Sequence, residues 1–182
     1  MAQALNKGAT ACCAGFCCMA AAPALGQAVT PESLQGSTIV ATVNYEMQRR
    51  RDGQDVPGSA SVTYRLNIGA GGAFTGSLTR TSGANTSTRQ FSGTLGRPYS
   101  PGSGGHAVWI LSGNTLRLLR TYEIGGKNTT ITFGPAGRSC TVRSPFMRET
   151  GAGSAIRRDS IRGGTVEITS AKQTSSSCQV TR

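Results

Sequence analysis

The residues in this chain able to do chemistry are its arginines and its cysteines. Arg49, Arg50 and Arg51 run consecutively, and Arg157, Arg158 and Arg162 form a second basic group. A guanidinium presents its N–H donors as a planar fork that matches phosphate or sulfate oxygens, so the two groups read as halves of an anion-binding surface. Residues 48–51 stand where a strand runs into an Asp-Gly turn, and their guanidinium groups are expected to splay into solvent. Glu46, Asp52 and Asp55 border the triplet and read as balancing charge across a hairpin tip. The run Asp52-Gly53-Gln54-Asp55 is incomplete as a calcium loop. His106 is the single histidine. It cannot build a histidine metal site, and no G-x-S-x-G nucleophile elbow accompanies it. No metal, cofactor or catalytic residue is expected.

Four of the six cysteines, Cys12, Cys13, Cys17 and Cys18, belong to a different setting. Lys7 precedes a run of small and apolar residues over positions 9–22, and Pro23 breaks it. Gly26 and Ala28 supply the small residues that signal peptidase needs at −3 and −1. Residues 1–28 are therefore expected to be a cleaved signal peptide whose apolar run is too short for a permanent membrane span. No leucine stands three residues before any of these cysteines, which argues against a lipoprotein. The expected location is periplasmic or secreted. Residues 29–182 retain Cys140 and Cys178, an even pair in an oxidising compartment, expected to be bonded to each other. Closing a loop of about 39 residues is worth about 4 kcal/mol by chain entropy.

The remaining chain carries 18 basic and 8 acidic side chains, a net charge of +10, and 16 of the basic ones are Arg. Such a balance favours polyanionic partners, namely nucleic acid, lipopolysaccharide or acidic polysaccharide, and also keeps an exported protein soluble. Aromatic residues are few and do not alternate with the arginines, so no stacking platform for single-stranded nucleic acid can be read.

The elements that must position these groups are strands. Ile39, Ala41, Val43, Tyr45 and Met47 fall on one face of the first, and Val62, Tyr64, Leu66 and Ile68 on one face of the second. Strict alternation of this kind predicts a sheet with one buried and one wet face. Gly69-Ala70-Gly71-Gly72 predicts a hairpin into Phe74, Gly76 and Leu78. Further strands are expected over 89–95, 106–111 (an apolar, central one), 116–124, 129–133, 139–143, 165–170 and 177–181. Residues 96–105 are expected to be an exposed loop, and 125–128 a hairpin turn. Residues 144–161 are expected to be a surface excursion opening on a helical turn capped by Ser144 before Pro145. About ten short strands joined by hairpins predict an all-β domain, an antiparallel meander forming a small β-barrel or, alternatively, a two-sheet β-sandwich. The apolar faces are too short, and aromatic residues too few, for a transmembrane barrel.

Leu34-Gln35-Gly36, Gln48-Arg49-Arg50, Ser139-Cys140 and the tail from Gly163 through Ile168 to Ser177-Cys178 carry a resemblance to small, exported β-rich proteins of soil alphaproteobacteria. The resemblance covers nearly the whole exported domain. It implies a bacterial source and a paired Cys140 and Cys178, and it implies no function. Residues 64–78 are similar to an avidin hairpin, without the tryptophans of a biotin site. Small-barrel bacterial protease inhibitors are similar in size, compartment and single disulfide, without a shared motif.

The functional expectation is an exported, non-enzymatic β-domain that binds an anionic polymer or a protein partner through Arg-rich loops. The alternative is a small barrel that inhibits a protease or carries an apolar ligand.

Overall fold

Period-two alternation does become strand in the computed structural model, which describes residues 28–101, 106–120, 126–147, 157–161 and 164–182. The expected leader, apart from Ala28, and Arg162 lie outside the described residues. Twelve strands occur among them. The first six are β1 (Thr38–Arg51), β2 (Gln54–Ile68), β3 (Ala73–Ser82), β4 (Asn85–Thr94), β5 (Ala107–Ser112) and β6 (Thr115–Arg120). Then come β7 (Gly126–Lys127), β8 (Thr130–Phe133), β9 (Cys140–Arg143), β10 (Phe146–Met147), β11 (Arg157–Ile161) and β12 (Gly164–Thr181). One six-stranded antiparallel sheet has the order β11-β12-β1-β2-β3-β4, and a four-stranded one the order β5-β6-β8-β9; β10 and β7 pair separately. The architecture is all-β, and no helix among the described residues is long and apolar enough to cross a membrane.

Both sheets contribute to one core. Ile39, Val43 and Tyr45 of β1 and Val62, Tyr64 and Leu66 of β2 are buried together with Trp109, Leu116, Ile131, Phe133 and Val142 of the smaller sheet. The Tyr64 and Trp109 rings meet edge to face at 5.6 Å. The outer face of the large sheet is held by polar cross-strand pairs, among them Thr42 with Thr63 at 2.9 Å and Thr79 with Thr88 at 3.0 Å. Pairs of this type stabilise a wet sheet face modestly. A small-against-large pattern fits the aromatic end of the core: Gly76 stands opposite Phe91, and Phe74 opposite Gly93. A Cβ on Gly76 would come within 2.6 Å of Phe91 Cε2 and 2.7 Å of the Arg65 carbonyl oxygen. Gly76→Ala is therefore expected to lower stability by about 1–3 kcal/mol, because backbone on one side leaves no room to relax. Urea denaturation measures it, and an unchanged midpoint would contradict the packing.

Cys140 and Cys178 are disulfide-bonded, with their Cα atoms 5.3 Å apart. The bond ties β9, an edge of the small sheet, to β12 of the large one.

Several local expectations are corrected. Residues 165–170 and 177–181 belong to one 18-residue strand, because the polar residues between them pair with residues 43–47 of β1. The strand expected to be central, β5, is an edge of its sheet, with Ala107 and Trp109 inward and Ile110 37% exposed. The loop expected to be exposed carries Tyr99, which is buried, bridges to Ala107 and stacks on Phe91. Gly126 and Lys127 form a strand pairing with β10 where a turn was expected. Among the described residues no helix follows Ser144, whose side chain is fully buried; Phe146 and Met147 form β10, and the rest of the expected helical turn lies outside the described residues.

Ser144 is buried because the opposite sheet partners it. The Tyr45 hydroxyl donates to the Ser144 carbonyl oxygen at 2.6 Å, and the Ser144 hydroxyl pairs with Thr129 Oγ1 at 2.7 Å. Thr129 Oγ1 in turn donates to the Tyr64 hydroxyl at 3.2 Å, and Ser144 N–H to Gln173 Oε1 at 2.9 Å. Burial raises the Tyr45 pKa well above its ordinary 10.0; the Ser144 side-chain hydroxyl opposes this and nearby Tyr64 adds to it. A phenol whose folded pKa is raised stabilises the fold fully below the unfolded pKa, and that contribution is lost as pH climbs above about 10. Tyr45→Phe is expected to cost about 1–3 kcal/mol at pH 7, since the Ser144 carbonyl loses its donor. Above pH 10 the variant should lose stability less steeply than the parent. Parallel alkaline profiles would contradict this.

Candidate functional site

The strands of the large sheet are unequal to those of the small one: β1, β2 and β12 have 14, 15 and 18 residues, whereas β8 and β9 have 4 each. At about 3.3 Å per residue the large sheet must overhang its partner. The overhang comprises the end of β1, the start of β2, the tips of β3 and β4, and the β11–β12 hairpin. On the face that continues the core, burial falls away: Met47 and Ala60 are buried, Arg49, Gly58 and Arg80 half-buried, and Val56 and Arg89 exposed.

This overhang holds the first arginine triplet, and alternation sends its members to different faces. Arg49 continues the inward series after Met47. Its side chain lies flat across β2, because residue 58 carries no Cβ; one built there would sit 3.0 Å from Arg49 Cζ. The guanidinium then donates to the Ser59 carbonyl oxygen at 3.1 Å and to Ser82 Oγ of β3. Arg50 faces outward and makes a two-pronged ion pair with Asp55, at 2.9 and 3.0 Å. That hydrogen bonding, with the charge of Asp55, raises the Arg50 pKa further. Arg51 stands 3.7 Å from the Asp52 carboxylate at the turn. The expectation that all three splay freely into water is corrected. Arg49 is pinned along the sheet, while Arg50 and Arg51 are met by acids of their own hairpin, because a two-residue turn brings Asp52 and Asp55 alongside them.

Arg157 and Arg158 of the second group come to the same end of the sheet. In the register Arg157 stands opposite Ile168, which stands opposite Arg49; Arg158, Glu167, Arg50 and Asp55 form the next row. Two strand spacings of about 4.8 Å therefore separate the Arg49 and Arg157 backbones. The row through Arg50 alternates in sign.

Two arginines absent from the sequence expectation join Arg49 on the inner face. Arg80 stands opposite buried Val62, and Arg89 opposite Leu78, which stands opposite buried Tyr64. Residues directly opposite across a ladder share a face, so Arg80 and Arg89 lie on the core-side face. Ser82, which receives Arg49, is two residues from Arg80 on the same side, a step of roughly 7 Å. Arg89 is the diagonal neighbour of Arg80, roughly 7–8 Å away. On the inward positions of β1–β4 in this overhang there are four arginines, counting Arg51 at the turn, and no carboxylate. The signal was in the sequence: Arg80 keeps parity with Leu78, and Arg89 with Phe91.

Two shallow grooves lie elsewhere. One of about 580 Å³ crosses β2, β3 and β4 and is lined by Arg65, Asn67, Thr75 and Gln90. The other, of about 370 Å³, runs between β10 and β12 and is lined by Arg143, Phe146 and Gln173. Each has a single arginine. His106 precedes β5 and is exposed. Among the described residues no three His, Cys, Asp or Glu side chains gather as a metal site. No protein-family model and no curated protein matches the chain.

Proposed function

We propose that this chain is an exported, non-enzymatic binding domain that holds a linear polyanion along the inner face of its sheet overhang. Arg49, Arg80 and Arg89 are the primary contacts, and Arg157 lies on the same row as Arg49 across β12, with Asp159 two residues beyond it. The carrying observation is a gathering of three arginines: Arg80 and Arg89 are diagonal neighbours roughly 7–8 Å apart, and the Arg49 guanidinium reaches Ser82, two residues from Arg80, on a face where the inward positions of β1–β4 hold no acid. Arg50 and Arg51 contribute less, because Asp55 and Asp52 already meet them. The partner class is sulfated or phosphorylated polymer, whether acidic polysaccharide, lipopolysaccharide or nucleic acid, in the periplasm or outside the cell.

We infer further that the two sheets are halves of one flattened meander barrel with two seams. At the first, Gly96 N–H donates to the Trp109 carbonyl oxygen at 2.7 Å, beside the bridge between Tyr99 and Ala107. At the second, the disulfide stands where ladder hydrogen bonds would close the circle. The test of function is a comparison of two charge-removing variants. Changing Arg49, Arg80 and Arg89 to Gln is expected to weaken heparin binding strongly, and changing Arg50 and Arg51 to Gln only weakly. Equal losses would overturn the assignment to the inner face.

A further inference from the structure

The expected cleavage point coincides with a built feature of the fold. Ala28 is exposed, whereas Val29 is only 4% exposed and its backbone N–H donates to the Gly113 carbonyl oxygen at 3.1 Å. Thr30 caps the helical turn Pro31–Leu34 in a full capping box: its side chain accepts from Ser33 N–H, and Ser33 Oγ accepts from Thr30 N–H. Val29 precedes the cap and Leu34 is the fourth helical residue, the two positions of a hydrophobic staple. Both pack over Gly137, where an added Cβ would lie 3.1 Å from Leu34 Cδ2 and 3.7 Å from Val29 Cγ1. The last residue closes the same corner, with Arg182 Nη2 donating to the Ser33 and Ala136 carbonyl oxygens.

We propose that the Ala28–Val29 bond is the processing site and that Val29 forms a docked N-terminus, a reading that rests on export. Hydrolysis breaks the Ala28 carbonyl carbon–nitrogen bond. Water adds its oxygen to Ala28, which departs as a carboxylate with the leader, and the Val29 nitrogen takes up protons to become an ammonium. One of its N–H groups keeps the bond to Gly113, now charge-assisted and therefore stronger, while the others face the side that Ala28 vacates. Cleavage one residue later would remove half of the staple. The small residues at 26 and 28 and the step from exposed Ala28 to buried Val29 are independent observations, and they agree on one bond.

The test uses the full chain in a bacterial host. N-terminal sequencing of the exported protein is expected to begin at Val29. Val29→Ala should be cut at the same bond and melt about 5 °C lower, the loss of most of a buried side chain in a domain of this size. A chain beginning at Thr30 should melt lower by at least as much. An uncut chain, or a start at any other residue, overturns the processing site. A correct start with unchanged melting of both variants overturns the docked terminus and leaves the export reading standing.

Discussion

Replacing Cys140 and Cys178 together by Ser is expected to lower the melting temperature by about 10 °C or more. The bond closes a loop with a sequence separation of 38, worth about 4 kcal/mol in restricted unfolded chain, and a domain of this size shifts roughly 2–4 °C per kcal/mol. Its position adds a second reason. Strand β9 has four residues and is an edge of the small sheet, so once the bond is gone little covalent or ladder structure holds that edge against β12. Gln173, which receives Ser144 N–H, lies across the same seam and should lose its partner more often. Native-state hydrogen exchange should therefore quicken in β8 and β9 before β1 and β2. Differential scanning calorimetry under oxidising conditions makes the measurement. Two titratable thiols in the native parent, or a variant melting within two degrees of it, would contradict the role given to the bond.

The arginine variants should give the second large effect, on binding far more than on folding. Each guanidinium that neutralises a fixed anionic charge releases a counterion, so affinity falls steeply with salt. Removing Arg49, Arg80 and Arg89 is expected to flatten the slope of log affinity against log salt by about 2–3. The Arg50 and Arg51 double variant should flatten it by less than about 1 by the same rule, because the acids of the hairpin already screen these groups. Stability should change little in the double variant, since exposed ion pairs contribute between nothing and about 1 kcal/mol. Arg49→Gln alone should be mildly destabilising, because its hydrogen bonds to Ser59 and Ser82 link β2 and β3. Slopes equal across all variants would mean that the charge acts diffusely over the whole surface.

Much of this arrangement is legible in the sequence. Alternation in residues 38–47 and 61–68 gives the two long central strands and their buried faces. The even cysteine pair gives the disulfide. What local windows miss is long-range pairing. Residues 171–176 show no alternation, and only their register with β1 makes β12 continuous. Ser144 before Pro145 looks like a helix cap until Tyr45, 99 positions away, takes its carbonyl. Tyr99 sits among loop residues, and its burial depends on Phe74 and Phe91 arriving from two other strands. The arginine site is an intermediate case. Parity separates Arg49 from Arg50, and places Arg80 and Arg89 with Leu78 and Phe91. It does not reveal that Gly58 lets Arg49 lie across β2 toward Ser82, which sets the spacing of the strip.

The most direct measurement of the central claim is a nuclear magnetic resonance titration of the protein with a heparin hexasaccharide at low salt. Following both backbone amides and arginine Nε–H groups locates the contact without relying on any substitution. The account predicts that the largest shifts fall on Arg49, Arg80 and Arg89 and their strand neighbours. Residues 117, 138 and 143, whose arginines are also exposed, should move little. Shifts concentrated at Arg65 or Arg143, or spread evenly over every exposed arginine, would contradict it.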